Sequence, residues 1–567
     1  SIGNSQAKAA AEAPETWPTF VNEPLIDFTR IEARERLKRA LEAVQSKLGV
    51  EVPVWIGGQA RSGGDWFDSL DPGDLSRVVA RARKGTLEEA SEAVAAAHAA
   101  FGPWASTPVV ERATILRRAA AIMRRERDEL TAWIIYESAK PWKEADADVA
   151  EAIDFCEYYA REMVRLDRPR RRDVPGEENE LVRTPRGVAV VIPPWNFPLA
   201  IPVGMTAAAL VAGDPVVLKP SENAPAMSWH LCRIFREAGL PEGVLNLVPG
   251  FGEVGAALVA DPRVALIAFT GSKAVGLSIN ETAARTPAGQ SHVKRVIAEM
   301  GGKNAIIVDD DADLDEATLG ILHSAFGFAG QKCSACSRAI VLADVYDTFV
   351  KRLADAVGSL PVAPATDPDC VVNPVIDRKA FDRVTSYQTR AASEGRIVAQ
   401  VSVAEALRNK GHYVGPLIVA DVDPHASIAQ EEIFGPVLAV IKARDLDHAL
   451  AIANGVEYAL TGGVFSRSPA HIERVRREMQ VGNLYINRAI TGALVDRQPF
   501  GGAKLSGIGT KAGGPDYLLE FTLAKSITEN TLRRGFAPEV EAADHETAPV
   551  QLDPESNSTS QPLAVVS

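Results

Sequence analysis

Residues 187–220 read GVAVVIPPWNFPLAIPVGMTAAALVAGDPVVLKP, and this stretch decides the fold. Two short apolar runs, VAVVI at 188–192 and PVVLK at 215–219, flank a segment of helical pattern. Apolar strands separated by about 10 to 15 residues of helical pattern are typical of a parallel sheet covered by helices on both faces. The stretch therefore predicts an α/β protein with a doubly wound sheet.

The same alternation continues along the chain. The later strand runs of the first series are VLNLV, VALIAFTG and RVIAEM, at 244–248, 264–271 and 295–300. A second series is NAIIV, RAIVL, GPVLAVI, GGVFS and NLYIN, at 304–308, 338–342, 435–441, 462–466 and 483–487. Upstream, apolar periodicity predicts helices at 31–48, 87–101, 110–138 and 144–166, with Gly57-Gly58 and 71–73 marking a short hairpin. Two successive α/β units are the economical interpretation.

Composition excludes several classes of function. The net charge of -13 over 567 residues argues against a nucleic-acid-binding surface, which needs a concentrated basic footprint. No apolar stretch approaches the roughly 20 residues of a membrane span, and the N-terminus lacks the apolar segment of a signal peptide. Five cysteines spread over the chain are no disulfide framework and favour a reducing, cytoplasmic compartment. The acidic, proline-containing stretch 536–567 is predicted to be a disordered tail.

One cysteine stands in a context of small residues, GQKCS at 330–334. Taken alone, Cys333 predicts a buried inert thiol, and the lone C-x-x-C that it forms with Cys336 favours neither a zinc site nor a redox pair. However, Glu299 lies 34 positions earlier, where a strand ends in two glycines. The run PWNFP at 194–198 follows the strand VAVVI, at the position where open α/β sheets bind ligands.

Seven sequence blocks occur in a familiar order. They are WNFP, KPSE, FTGS, E-x-GGKN, GQ-x-C, EEIFGPV and PFGG-x-x-x-SG, all within roughly residues 180 to 510. The chain resembles the aldehyde dehydrogenase superfamily, in which these blocks are collinear. The resemblance implies a Rossmann-type NAD-binding domain, an α/β catalytic domain and a small β oligomerisation arm.

The resemblance implies a covalent mechanism. Cys333 would attack the aldehyde to give a thiohemiacetal, whose oxyanion accepts hydrogen bonds from the Asn196 side chain and the Cys333 backbone N–H. Loss of hydride then leaves a thioester. Glu299 would activate the water that hydrolyses this thioester, a role that suits a carboxylate with a raised pKa.

The same resemblance implies NAD as the cofactor and no metal. Lys219 and Glu222 would hold the adenosine ribose, and an acidic Glu222 favours NAD over NADP because it repels a 2′-phosphate. The run 250–255 matches G-x-G-x-x-G, but a lone match is weak, so it is assigned to the adenine side. The residues expected around NAD are Lys219, Ser221, Glu222, Gly252, Gly271, Ser272, Gly276, Glu432 and Phe434, with the last two at the nicotinamide ribose and ring.

The stretch 488–500 and its continuation GGAKLSGIGTKAGGPDYLLEF resemble one branch of the family, the glutamate γ-semialdehyde (1-pyrroline-5-carboxylate) dehydrogenases. In that branch a loop of small residues binds the amino-acid head of the substrate through backbone N–H groups. The substrate-binding residues implied here are Gly492, Ala493 and the hydroxyl of Ser334, with Phe197 and Phe500 beside the aliphatic stem. Lys332 is a candidate for the charged end of the substrate, and a solvated lysine is an equal alternative.

The segment 20–28 resembles the leader of this branch in bifunctional proline-utilisation enzymes, which carry a proline dehydrogenase barrel. Too few residues remain here for a barrel of typically about 250 residues. We therefore expect the second step of proline breakdown only, in a standalone enzyme or in one half of a longer chain with a proline dehydrogenase partner or fused module. Homo-oligomers are expected through 172–186 and 515–535.

The expected organisation follows from these assignments. It comprises an N-terminal helical segment at 1–44, the NAD-binding domain at 45–297 with 172–186 in the arm, the catalytic domain at 298–490, a substrate anchor loop and return at 491–535, and the tail at 536–567. Three alternatives remain: a dehydrogenase of another semialdehyde such as succinate semialdehyde, a catalytically silent scaffold of the same fold, and a cysteine hydrolase. The Gly492-Ala493 loop argues against the other semialdehyde. The intact Cys333 argues against the silent scaffold, and the absence of a well-placed histidine argues against the cysteine hydrolase.

Overall fold

The computed structural model describes residues 17–532. Within them, residues 17–169 and 182–525 form one compact unit, and residues 170–181 and 526–532 form another. The predicted tail at 536–567 and the first 16 residues of the predicted N-terminal segment lie outside the described residues.

Helices and strands alternate through most of the described chain. The helices are α1 (Ile31–Gln45), α2 (Leu87–Ala105), α3 (Val109–Arg125), α4 (Arg127–Ser138), α5 (Trp142–Leu166), α6 (Ala200–Ala212), α7 (Pro225–Glu237), α8 (Gly252–Ala260), α9 (Lys273–Ala284), α10 (Leu314–Phe326), α11 (Tyr346–Val357), α12 (Arg378–Glu394), α13 (Glu405–Arg408), α14 (Ser427–Gln430), α15 (Leu446–Asn454) and α16 (Pro469–Glu478). The strands are β1 (Val50–Val52), β2 (Trp55–Ile56), β3 (Gln59–Ala60), β4 (Trp66–Asp71), β5 (Asp74–Arg83), β6 (Arg170–Arg171), β7 (Glu177–Pro185), β8 (Val188–Ile192), β9 (Val216–Leu218), β10 (Leu245–Leu247), β11 (Val264–Thr270), β12 (Arg295–Glu299), β13 (Asn304–Val308), β14 (Cys336–Leu342), β15 (Arg396–Gln400), β16 (Leu417–Ala420), β17 (Val437–Ala443), β18 (Tyr458–Ala459), β19 (Thr461–Phe465), β20 (Asn483–Ile486), β21 (Ala503–Lys504), β22 (Gly507–Ile508) and β23 (Thr522–Asn530).

The first large sheet contains both apolar runs of the stretch 187–220. Its strand order is β22-β12-β11-β8-β9-β10-β2-β3, with parallel pairing from β12 to β10 and antiparallel strands at both edges. Along β8, Val188 and Val190 pack into one hydrophobic cluster while Ala189 and Val191 pack into another. Both faces of the sheet are therefore buried, which explains why β8 is apolar at every position.

The second large sheet has the order β15-β16-β17-β14-β13-β19-β20, with only β15 antiparallel. It repeats the two-sided burial, because Ala305 and Ile307 of β13 face one cluster and Ile306 and Val308 face the other. The predicted fold class, α/β with doubly wound parallel sheets, is confirmed.

The two sheets meet where the chain passes from one to the other. Strand β12 ends the parallel part of the first sheet at Glu299, and β13 begins the second sheet at Asn304. The carboxyl ends of the first sheet therefore lie beside the amino ends of β13 and β14. Ligands of open α/β sheets bind at carboxyl ends of strands, so this junction is the expected place for a site.

The single helix predicted at 110–138 was wrong, because Glu126 interrupts it with φ -103° and ψ 16°. The charges explain the break. The basic Arg124 and Arg125 lie in the last turn of α3, and the acidic Asp128 and Glu129 lie in the first turn of α4. Basic residues stabilise the C-terminal end of a helix dipole, and acidic residues stabilise the N-terminal end. The sequence therefore favours the end of α3 and the beginning of α4 at this point. One short hairpin was predicted from Gly57-Gly58 and 71–73, and the structure forms a hairpin at each of these two turns.

The smaller unit is built on an antiparallel ladder in which Arg170 pairs with Leu181. The Thr528 hydroxyl donates to Asn179 Oδ1 at 2.7 Å within the same unit. These residues belong to a three-stranded sheet of β6, β7 and β23.

Among residues 17–532, no helix combines the length and the apolar character needed to span a bilayer.

Candidate active site

The segment before Cys333 has an unusual backbone. Phe328 and Ala329 adopt φ of 54° and 52°, in the left-handed region that residues with a side chain rarely occupy. The Gln331 side chain fastens the segment, since its Oε1 accepts the Ile376 N–H at 2.9 Å. Backbone strain of this kind persists only where surrounding contacts impose it, and it is concentrated at functional sites.

Asn304 holds the loop that carries the cysteine. Its side-chain amide donates to the carbonyl of Cys333 at 2.7 Å and to that of Ala335 at 2.8 Å. Its Oδ1 accepts the Thr461 N–H at 3.0 Å. All three hydrogen bonds are buried or partly buried, so they fix the position of the Cys333 backbone.

The Cys333 thiol is half-buried and faces two acidic groups. Burial raises the pKa of the Cys333 thiol to about 12, and the nearby Glu299 and Glu432 carboxylates add to the effect. The Ser334 backbone N–H opposes this shift by hydrogen bonding. The thiol is therefore protonated at neutral pH and needs a base to become a nucleophile.

Glu299 is one of the two acidic groups that the Cys333 thiol faces. It ends β12, where it pairs with Thr270 on one side and Gly507 on the other. Its Oε2 is buried without a hydrogen-bond partner among the described residues. Burial raises the pKa of Glu299 to about 8, against the opposing charge of Lys511.

Asn196 follows β8 and is buried. Its Nδ2 donates to the Gln331 carbonyl at 3.0 Å, which brings the side-chain amide to the cysteine loop. An amide has two N–H groups, so one remains for a further acceptor. The neighbouring Phe197 ring lies under the Lys140 ammonium at 3.6 Å, and Lys140 is paired with Asp148 at 2.8 Å.

Gly301 and Gly302, which follow Met300, leave room for the carboxylate of Glu432. The Gly302 N–H donates to Glu432 Oε1 at 3.0 Å. A Cβ on Gly301 would collide with the Glu432 carboxylate, so a side chain there would displace that carboxylate. Phe434 has φ 55° and meets the Trp195 ring edge-on at 5.7 Å. Glu432 and Phe434 are thus placed beside the Cys333 site.

The other residues predicted to bind the dinucleotide, apart from Glu432 and Phe434, follow strands of the first sheet. Lys219 follows β9 and is buried, with its Nζ donating to the Pro220 carbonyl at 2.9 Å. Ser221 and Glu222 come next and are half-buried. Gly252 begins α8 with open space around it, and Ser272 caps α9 just after Gly271.

Gly276 has a structural explanation of its own. A Cβ there would lie 2.6 Å from the Met300 sulfur, so the glycine allows α9 to pack closely against the residue after Glu299. Its predicted contact with NAD stays a prediction.

The predicted substrate residues are more scattered. Ser334 is buried beside the nucleophile, whereas Gly492 is exposed and Ala493 half-buried in a segment without helix or strand. No hydrogen bond or ion pair among residues 17–532 joins Gly492 or Ala493 to Cys333. Phe500 is half-buried, and its backbone pairs with Ala512. Lys332 is not a solvated lysine, because it is buried and pairs with Glu144 at 2.6 Å.

Sequence reasoning missed three residues that the structure brings to this site. Asn304 and Lys511 stand inside the stretches that resemble the family, and their polar side chains two residues from glycines were an available signal. Glu144 lies on α5, 188 positions before Lys332, and no local pattern distinguishes it from a solvated helix charge. Only the tertiary structure reveals that pairing.

Comparison with known proteins defines the class. A profile described as the aldehyde dehydrogenase family matches residues 59–527. The chain belongs to the aldehyde dehydrogenase family, and the resemblance of the seven blocks is confirmed.

Individual relatives show which members of the family this chain is similar to. A 1-pyrroline-5-carboxylate dehydrogenase of Geobacillus thermodenitrificans is 49% identical over 512 residues, covering 90% of this chain and 99% of the relative. A crystal structure of 1-pyrroline-5-carboxylate dehydrogenase from Thermus with bound NAD superposes with a TM-score of 0.89 at 45% identity, covering 91% of this chain and 100% of that one.

Proline utilization A from Bdellovibrio bacteriovorus is a further structural relative, with a TM-score of 0.90 and 50% identity. The match covers 93% of this chain and 55% of that one, so this chain spans about half the length of that protein.

Proposed function

We propose that this protein oxidises L-glutamate γ-semialdehyde, formed from 1-pyrroline-5-carboxylate, to L-glutamate with NAD as the acceptor. The observation that carries the chemistry is the placement of Cys333, Glu299 and Asn196 around one point at the junction of the two sheets. The choice of substrate is supported by the end-to-end similarity to relatives named 1-pyrroline-5-carboxylate dehydrogenase. This would be the second step of proline catabolism.

The first half of the reaction forms a bond to sulfur. The Cys333 thiol loses its proton to solvent, while the sulfur adds to the aldehyde carbon. The carbonyl oxygen becomes an oxyanion, which the free N–H of the Asn196 amide and the Cys333 backbone N–H stabilise. Removing one such donor typically costs about 10²–10³ in rate.

The second half releases the acid. Once the thiohemiacetal has been oxidised to a thioester, the Glu299 carboxylate removes a proton from water as that water attacks the thioester carbon. The carbon–sulfur bond breaks, and Cys333 leaves as a thiolate that is reprotonated. A pKa of about 8 suits a base that must be charged for one step and able to hold a proton.

The residues at the carboxyl ends of the first sheet fit a dinucleotide. The N-termini of α8 and α9 present N–H groups for a pyrophosphate, and Gly252 leaves space at the first of them. Glu222 and Glu432 would hold the two riboses, with Phe434 beside the nicotinamide ring. NAD, when bound, accepts the hydride that leaves the substrate carbon.

The buried pair Lys332–Glu144 sharpens the substrate proposal. An amino-acid head carries one carboxylate and one ammonium group, and this pair offers a charge of each sign next to Ser334. The backbone N–H groups of Gly492 and Ala493 would bind the carboxylate, and Phe197 and Phe500 would flank the stem.

The deciding experiment compares two semialdehydes. The purified protein is given NAD with either pyrroline-5-carboxylate or succinate semialdehyde, and NADH absorbance is followed. We expect kcat/KM to be larger for pyrroline-5-carboxylate by at least about 100-fold, because a site built for a charged head leaves buried polar groups unpaired when that head is missing. Equal or reversed preference would overturn the substrate assignment while leaving the class intact.

The domain boundaries 45–297 and 298–490 remain part of this proposal, as do a homo-oligomer formed through 172–186 and 515–535 and a proline dehydrogenase partner or fused module. A cytoplasmic location is likewise proposed, supported by five cysteines that are all free. A solution mass measurement tests the oligomer directly.

A further inference from the structure

Lys511 occupies an unusual position for a charged side chain. Its ammonium group donates to Asn483 Oδ1 at 2.8 Å and to the Gly501 carbonyl at 3.1 Å. It also donates to the Gly482 carbonyl and lies 3.5 Å from the Pro499 carbonyl. One half-buried ammonium therefore ties the start of β20 to the turn at 499–501, and none of these acceptors is a carboxylate.

Gly501 separates Lys511 from the catalytic base. A Cβ on Gly501 would lie 2.9 Å from Glu299 Oε1 and 3.4 Å from Lys511 Cγ. The other carboxylate oxygen faces Gly507, where a Cβ would lie 3.7 Å from Glu299 Oε2. The Glu299 carboxylate thus lies between two glycines, and Lys511 stands directly behind one of them.

The charges around Glu299 are few. The titratable groups that face it are the Cys333 thiol, the phenol of Tyr517 and the ammonium of Lys511. The thiol and the phenol are neutral at pH 7, because burial raises the pKa of both. Lys511 is therefore the one cationic group among the described residues that favours the carboxylate form of Glu299, and Glu299 is the one charged group that acts on Lys511.

We propose that Lys511 is a positioning residue for Glu299: its ammonium holds the Gly501 turn against the carboxylate and stabilises the charged, basic form in which Glu299 activates water. This inference rests on the proposed role of Glu299. It adds a residue that acts through Glu299 rather than on the reacting atoms, and its effect is on thioester hydrolysis.

The sign of the effect follows from electrostatics. Lys511 opposes the burial that raises the pKa of Glu299, so removing its charge raises that pKa further. At a fixed pH near neutrality, less Glu299 is then in the carboxylate form, and hydrolysis slows. An opposite charge within about 4–6 Å typically changes a carboxyl pKa by about one to three units.

The test is the pH dependence of kcat in Lys511→Met, with pyrroline-5-carboxylate and NAD. We expect the midpoint of the alkaline rise to move up by about one pH unit, and an NADH burst to appear at pH 7 because hydrolysis has become limiting. Lys511→Arg, which keeps the charge, should keep the wild-type midpoint. Lys504→Met is the matched control, since Lys504 also donates to main-chain carbonyls, of Asn454 at 2.9 Å and Val456 at 3.2 Å.

A double variant separates the electrostatic role from a structural one. If Lys511 acts through Glu299, adding Lys511→Met to Glu299→Gln changes the hydrolysis rate by less than about twofold. An equal loss in both backgrounds, or a loss at every pH with an unmoved midpoint, would overturn the inference. Wild-type hydrolysis in Glu299→Gln alone would instead overturn the proposed function, so the two failures are distinguishable.

Discussion

The segment around Cys333 and the segment around Gly492 differ in how firmly the fold holds them. The first is buried and fastened by Asn304, which makes three hydrogen bonds to Cys333, Ala335 and Thr461. The second is open: Gly492 is exposed and has a φ of 76°, and a Cβ added to it would meet nothing within 4 Å. The proposed function therefore assigns bond-making to the well-fastened sheet junction and substrate choice to a surface segment.

The comparison predicts its largest effect at Cys333. Cys333→Ala removes the nucleophile and should lower kcat by on the order of 10⁴-fold or more, measured by NADH formation. Cys336→Ala is the matched control, because Cys336 is fully buried and its Sγ contacts the Arg338 carbonyl at 3.4 Å, away from the reacting thiol. It should keep kcat within about twofold. Wild-type activity in Cys333→Ala would rule out a covalent intermediate on Cys333.

Glu299→Gln should separate the two halves of the reaction. Acylation survives in part, so rapid mixing should show a burst of about one NADH per active site, followed by a steady rate lower by roughly 10²–10³. The physical reason is that a glutamine amide cannot take a proton from water. A steady rate that falls without any burst would place Glu299 in acylation instead.

The pKa of Glu299 gives the third prediction. Because burial raises it to about 8, the basic carboxylate is lost as the pH falls through that value. The hydrolysis rate should therefore fall by about tenfold for each pH unit below the pKa and level off above it. Single-turnover decay of the acyl-enzyme, followed from about two pH units below this pKa to more than one above it, measures the profile. A flat profile across that range would contradict the assigned environment of Glu299.

The fold was largely predictable because buried parallel strands leave a direct trace in the sequence. Strands such as β8 and β13 are covered on both faces, so nearly every position is apolar and the run is visible without an alignment. The break at Glu126 was missed because helical periodicity continues across it, and only the charge order around it signals the end of one helix.

The site was predictable only in part. Cys333 and Glu299 were predicted from the order of the family blocks, which identifies residues but does not show which of them are in contact. The Lys332–Glu144 pair joins residues 188 positions apart, and a charge on a helix carries no mark of such a distant partner. The need for glycine at 301 and 501 is visible only once the carboxylates of Glu432 and Glu299 are seen against them.

The smallest effect is expected at the open segment, and it should appear in KM rather than kcat. Gly492→Val places a β-branched side chain at φ 76°, which costs about 1–2 kcal/mol or forces the backbone N–H groups out of position. We expect KM for pyrroline-5-carboxylate to rise about tenfold, which corresponds to about 1.4 kcal/mol of binding. Activity with propanal, which has no amino-acid head, should stay within about twofold of the wild-type value.

The matched control for this change is Gly289→Val. Gly289 also has a positive φ, of 91°, and open space around it, but it lies in the loop between α9 and β12. The two substitutions impose the same kind of backbone strain, so only the one at Gly492 should raise KM. If both raised KM equally, or if propanal were affected as strongly as pyrroline-5-carboxylate, the segment would be a general structural element. The proposal that the Cys333 segment carries the chemistry while the Gly492 segment selects the substrate would then be wrong.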